Sequence, residues 1–154
     1  MDIQIITKNK KDYLPLLLLG DELESDIDKY LERGQLFALC DGDLKSICVV
    51  TDEGAGVLEI QNLATDERYQ RQGYATKLLD HIADYYKSRY DRIILGTGDA
   101  RGILSFYERR GFKETHREPG YFTAHFDYPI IEDGAALKDR VFFQKELRPK
   151  KSIF

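Results

Sequence analysis

Gln70-Arg71-Gln72-Gly73-Tyr74-Ala75 joins a short apolar strand, Val57 to Ala64, to an amphipathic helix that begins at Gly73. A turn of this kind can hold an anion. Gly73 lets backbone approach a ligand closely, the small Ala75 leaves the next turn uncrowded, and the unpaired N–H groups of the first helical turn point at whatever sits there. The helix dipole favours negative charge at the same place. Arg71 can add a charge-assisted contact to phosphate oxygens. Neither G-x-G-x-x-G nor G-x-x-x-x-G-K-[ST] can be read here; the pattern is Gln-x-x-Gly-x-Ala.

The helix opened by Gly73 runs to about Arg89. It places Ala75, Leu78, Leu79, Ile82, Ala83 and Tyr86 on one side and Lys77, Asp80, Asp84, Lys87 and Ser88 on the other, so it must pack on a sheet. A strand before it and Asp91 to Leu95 after it make a βαβ crossover, whose strands are expected to be parallel. Gly96-Thr97-Gly98 reads as the loop ending that strand, and Gly102 to Arg110 as a helix stopped by Gly111. Upstream, Asp2 to Thr7 alternates as a strand, Leu14 to Leu19 starts a helix ended by Gly20, and Asp21 to Arg33 carries Leu23, Ile27, Tyr30 and Leu31 on one helical stripe. Gln35 to Cys40 and Leu44 to Thr51 form a hairpin. Phe112 to His116 and Val141 to Leu147 are the last strands, with Glu132-Asp133-Gly134 as a turn between them. The class is α/β, a mixed and mostly antiparallel sheet with a central parallel βαβ unit.

The 154 residues suit one domain, 1–154, with a substantial core. Apolar residues at 42% and charged residues at 32% are the balance of a globular protein. The longest apolar run, Leu14 to Leu19, contains Pro15 and is far below a membrane span; with no secretory leader to read, a cytoplasmic protein without a membrane partner is expected. A net charge of −4 counts against a nucleic-acid partner and suits a cationic one. The basic end, Arg148, Lys150 and Lys151, reads as a solvated tail. Hairpin register puts Cys48 opposite a residue near Phe37, not opposite Cys40, so no disulfide is expected. His81, His116 and His125 lack ligand spacing, and no metal is expected.

Two segments together carry a family resemblance. The loop at Gln70 to Ala75 is similar to the acetyl-coenzyme A signature of the GNAT N-acetyltransferases. Tyr107-Glu108-Arg109-Arg110-Gly111-Phe112, closing the helix after the fifth strand, resembles that family's "Y-E-x-x-G-F" ending. The matched region runs from about Val57 to Phe112.

The resemblance implies the GNAT fold, acetyl-coenzyme A as cosubstrate, and direct acetyl transfer to a primary amine in a ternary complex. It places the cofactor's pyrophosphate on Gln70, Arg71, Gln72, Gly73, Tyr74 and Ala75. Its pantetheine arm falls on backbone groups of Leu63, Ala64 and Thr65, where two strands splay. Tyr107 takes the position of the general acid to the thiolate. Glu59, fourteen positions before Gly73, takes that of a general base acting through water, with Asp66 and Glu67 as weaker candidates and an ordinary strand glutamate as the even alternative. Where the family often has an asparagine, this chain has Asp99, which when ionised accepts but cannot donate. Ser105 and Arg109 lie near enough to Tyr107 to touch the cofactor.

Two further segments bear on the acceptor. The Asp21 to Asp28 run is acidic, and the connection from Arg117 to Lys138 holds Tyr121, Phe122, His125, Phe126, Asp127 and Tyr128. Acidic groups with aromatic faces suit a small cationic amine. A protein lysine or N-terminus as acceptor, a cofactor-binding module without catalysis, and a homodimer all stay open.

Overall fold

The computed structural model describes residues 1–148. Lys150 and Lys151 of the expected basic tail lie outside them. Arg148 is exposed as expected and is also tied to the fold: its guanidinium donates to the carbonyls of Lys87 and Ser88 and pairs with Asp91 at 3.5 Å.

Seven strands form one sheet in the order β1-β2-β3-β4-β5-β9-β6. They are β1 (Asp2–Ile6), β2 (Gln35–Asp41), β3 (Asp43–Asp52), β4 (Val57–Thr65), β5 (Arg92–Gly98), β6 (Lys113–Glu118) and β9 (Arg140–Glu146). Only β4 and β5 pair in parallel, joined through α3 (Tyr74–Tyr86), as the helical period between two apolar runs requires. All other neighbours are antiparallel. Phe37 faces Cys48 in the β2–β3 hairpin, and both thiols are free.

Helices cover both faces. α3 lays Leu78, Leu79, Ile82 and Tyr86 on one, with α4 (Arg101–Arg109) beside it; Phe37, Leu39, Cys48, Leu58 and Phe143 complete this core. α1 (Leu14–Gly20) and the segment after it cover the other, burying Leu17, Ile27 and Leu31 on Leu36, Ile47, Val49 and Ala64. A third cluster of Ala100, Phe126, Ile130 and Leu137 anchors the 117–138 connection. That connection is itself structured, with the short α5 (Tyr121–His125) and a hairpin of β7 (Ile131–Glu132) and β8 (Ala135–Ala136). The hairpin turns at Asp133 and Gly134, both at positive φ.

Two expectations need correction. The helix expected over Asp21 to Arg33 is only one turn, α2 (Glu24–Ile27). Like charges at Glu22/Asp26 and Glu24/Asp28 stand one helical turn apart and oppose a longer helix. The chain is held instead by Lys10, whose ammonium donates to the carbonyls of Leu31, Glu32 and Gly34. Second, Gly96-Thr97-Gly98 is strand, not loop: β9 pairs with β5 along its whole length, Gly96 facing Phe142 and Gly98 facing Arg140. Glycine leaves room there for side chains that cross the strand. A Cβ on Gly96 would collide with the Arg140 guanidinium, and one on Gly98 would stand 2.6 Å from Leu137 Cδ1.

Candidate functional site

The two parallel strands part at the middle of the sheet. Their pairing ends at Ile60 and Leu95, although β4 continues to Thr65 and β5 to Gly98. A bulge lies at the same point: Val50 faces Ile60 and Val49 faces Asn62, so Gln61 is the extra residue. Bulges bend and twist the strand that carries them, which turns the end of β4 away from β5. From Asn62 to Thr65, β4 pairs only with β3. Alternate backbone groups of this stretch therefore face the gap with no strand to receive them, a costly arrangement unless a ligand or water satisfies them.

The gap opens into a cleft of about 560 Å³ lined by Leu63, Ala64, Thr65, Gln70, Arg71, Ala75, Phe106, Tyr107 and Arg109 among others. At one end stands the N-terminus of α3. Gly73 is its N-cap at φ 86, no side chain caps it, and a Cβ there would enter open space. Arg71 also takes positive φ, 63°, and is exposed. Gln70 braces the loop by donating to the Thr65 carbonyl at 3.2 Å, while the Tyr74 hydroxyl turns away to Asp41 at 2.8 Å. Gln72 is exposed and does not line the cleft.

Tyr107 rises from α4 into this cleft, packed among Phe106, Phe112 and Phe143 with 8% of its surface exposed. No described residue hydrogen-bonds its hydroxyl. Burial, with Cys48 nearby, pushes the phenol well above its ordinary range, so it holds its proton at neutral pH. Arg109 reaches the cleft; Ser105, half-buried on the same helix, does not. Asp99 also stays out of it. Its carboxylate accepts the N–H groups of Lys138 (3.0 Å) and Asp139 (3.1 Å), pinning the end of the connection to the end of β5. Burial pushes that carboxyl up, and the two N–H donors outweigh it and hold it low.

A second, smaller cavity of about 150 Å³ adjoins the first, sharing Leu19, Gly20, Thr97, Ile103 and Glu132 with it. Asp21, Glu22, Gln61, Tyr121, Phe122, Phe126 and Arg140 are among its other walls. Both segments singled out for the acceptor thus meet here. Asp21 is held by a relay: Asn62 Nδ2 donates to the Leu17 carbonyl (2.9 Å) and to the Tyr30 oxygen (3.0 Å), and the Tyr30 hydroxyl donates to Asp21 Oδ2 (3.1 Å). Gly20 must be glycine, because a Cβ would strike Asn62. Burial raises the Asp21 carboxyl to about 6. The Tyr30 bond, Arg140 and His125 pull against that rise, and Asp26 adds to it. α5 is tied to this wall by His125 Nε2 and Asp26 Oδ2 at 2.7 Å.

Glu59 lies on β4 between Thr51 and Ile94, half-buried, and lines neither cavity. Burial and then Glu53 raise its carboxyl; Arg140 and Arg33 oppose them. Asp66 is a poor proton acceptor, since Arg68 holds it at 2.9–3.1 Å and lowers it to about 2. Asp21 as an individual residue, Gln61, Glu132 and Arg140 were not singled out by sequence. Only the acidity of the 21–28 run pointed toward one of them.

A cleft with unpaired strand amides along its length and a helix N-terminus at its end suits a ligand with an amide-bearing arm and a pyrophosphate, and a coenzyme A thioester has both. Such a site is that of a coenzyme A-dependent acyltransferase. Comparison agrees. A family model described as an acetyltransferase (GNAT) domain matches residues 32–114. The N-acetyltransferase YvbK of Bacillus subtilis strain 168, itself uncharacterised, is 32% identical over 142 residues, covering 90% of this chain and 92% of its own. A structure described as an IAA acetyltransferase from Bacillus cereus ATCC 14579 superimposes with a TM-score of 0.87 at 29% identity, over 94% of this chain and 98% of that one. A GNAT acetyltransferase from Elizabethkingia anophelis, with acetyl-CoA bound, gives 0.86 at 28%, over 94% and 97%. The chain belongs to the GNAT family of acetyltransferases and has its α/β fold. No helix among the described residues is long and apolar enough to cross a membrane.

Proposed function

We propose that this acyltransferase moves the acetyl group of acetyl-coenzyme A to a primary amine of a small cationic molecule, by direct attack within a ternary complex. The observation that carries the reading is the junction of the two cavities, the larger beside the freed edge of β4 and the smaller lined by acids and aromatic rings. Bound acetyl-coenzyme A supplies the activated acyl group. The N–H groups of Tyr74, Ala75 and the residue after them meet its pyrophosphate, aided by Arg71. Backbone of Leu63, Ala64 and Thr65 takes the arm, and an N–H there polarises the thioester carbonyl.

A nitrogen–carbon bond forms as the carbon–sulfur bond breaks. The amine must shed a proton, which Glu59 takes through water or Asp21 takes from within the smaller cavity. The departing sulfur must gain one, and Tyr107 holds a proton for it. A carboxyl at about 6 is mostly ionised at neutral pH yet close enough to it to take up a proton, which suits Asp21 for this exchange. The small volume of this cavity, about 150 Å³, favours a small acceptor over a peptide.

The test has two parts. Thiol release is followed with acetyl-coenzyme A and panels of polyamines, amino acids, aminoglycosides and peptides; turnover by a small amine, absent with peptides, is expected. Calorimetry then compares Gly73→Asn with Gly73→Asp. Both carry the strain of positive φ, but only the aspartate adds a charge where phosphate should sit. Loss of acetyl-coenzyme A binding in the aspartate variant alone is expected, and undiminished affinity in a folded Gly73→Asp protein would end the pyrophosphate assignment.

A further inference from the structure

The smaller cavity is not uniformly acidic. Arg140 projects into it from the first position of β9, lying across Gly96 where any Cβ would obstruct it. Its guanidinium carbon lies over two rings, 5.2 Å from the centre of Tyr121 and 4.9 Å from that of Phe142. Those rings are themselves supported, Phe142 stacking on His116 at 4.3 Å and Tyr121 on His125 at 5.0 Å. Stacking uses the planar faces of a guanidinium and leaves the N–H groups at its edge for a bidentate partner. Among the described residues, no side chain or backbone carbonyl accepts a hydrogen bond from Arg140, and no carboxylate pairs with it within 4.0 Å. Asp21 and Glu59 are close enough to feel its charge without touching it.

A guanidinium placed over two aromatic rings, half-buried and with its donors unused, suits an anion from outside the chain. A purely cationic acceptor would leave those donors unused in a space of about 150 Å³. Asp21 lines the same cavity and suits the opposite pole. We infer that the acceptor is a zwitterion: a small amine that also carries a carboxylate, seated with the carboxylate on Arg140 and the ammonium toward Asp21. This rests on the proposed N-acetyl transfer and adds the substrate class to it.

Thiol release from acetyl-coenzyme A is measured with the common amino acids, each beside its own carboxamide and its decarboxylated amine. For the best substrate the free carboxylate should exceed both analogues in kcat/KM by at least about tenfold, the scale of a charged hydrogen-bonded contact. Arg140→Gln should bring that ratio close to one, chiefly through KM, while acetyl-coenzyme A affinity measured by calorimetry is retained. Arg140→Lys, which keeps the charge but not the fork, should fall between and serves if the glutamine variant folds poorly. Carboxamides or decarboxylated amines used as well as the acids by the unaltered protein would overturn the carboxylate seat and leave N-acetyl transfer standing. A ratio unchanged in a folded Arg140→Gln protein would also overturn it. Thiol release that no amine of any kind stimulates, in protein shown to bind acetyl-coenzyme A, would overturn both readings.

Discussion

Replacing Asp21 by asparagine should make the protein more stable and less active, and the first effect should depend on pH in a defined way. Asparagine keeps an oxygen to accept the Tyr30 hydroxyl, so the relay from Asn62 survives and only the ionisation is removed. The carboxyl sits at about 6 in the fold against an ordinary 3.8. The folded protein thus holds a proton between those values that the unfolded chain has released, and stability falls as pH rises through the window. At ~1.36 kcal/mol per unit, a rise of that size amounts to roughly 3 kcal/mol for a dry site. Asp21 is only half-buried, so solvent screening reduces this to about 1–2 kcal/mol. Asp21→Asn should match the parent below about pH 4, gain stability between pH 4 and 6, and hold the gain above. For a domain of this size the Tm gain at pH 7 is of order 2–8 °C. Denaturant unfolding from pH 4 to 8 measures it directly. A gain that does not vary with pH, or a loss at pH 7, would refute the reasoning, because it would mean that Tyr30 and Arg140 overcome the cost of burial. A penalty carried at a cavity wall is the kind of cost a functional site tolerates.

Tyr107→Phe should leave acetyl-coenzyme A affinity within a few-fold in calorimetry but lower turnover by the ~10²–10⁴ of a lost proton donor; near-normal thiol release with a true acceptor would reduce Tyr107 to packing. Glu59→Gln should cost kcat/KM most near neutral pH, the deficit shrinking as pH rises and more free amine is present, with cofactor binding unmoved. A uniform deficit at every pH would instead assign Glu59 to positioning or strand stability, and no deficit would leave the proton to Asp21.

The loop and helices that border the larger cleft were legible because they are local. Gly73, the apolar stripe of Leu78, Leu79 and Ile82, and the Tyr107 to Phe112 ending are each contained within one element and the turn beside it. Local chemistry writes such features directly: a glycine where φ is 86, a helix start with no side-chain cap, a glycine stop at Gly111 with φ 90. The facing of Phe37 and Cys48 was equally readable, since a two-strand hairpin with a short turn allows few registers.

The smaller cavity is a different kind of object, and its illegibility has a physical cause. It is assembled from the end of α1, the bulge of β4, the last residues of β5, α5 and the first residue of β9, which the sheet order brings together across more than a hundred positions. Periodicity says that Gly96 to Gly98 breaks an apolar run, but not that β9 will continue the pairing or that Arg140 and Leu137 will use the room where Cβ atoms are missing. The same two glycines suit either a loop or a strand crossed by a large side chain; only the partner strand decides. Nor does the strand pattern from Val57 to Thr65 reveal the extra residue at Gln61, since a bulge is defined by the residues opposite it. Even Asp21, visible as one acid among several, takes its distinctive position from Asn62 and Tyr30, forty-one and nine residues away. What separates it from the exposed acids at Glu22 and Glu24 is a hydrogen-bond relay, a property of the folded chain that no single segment carries.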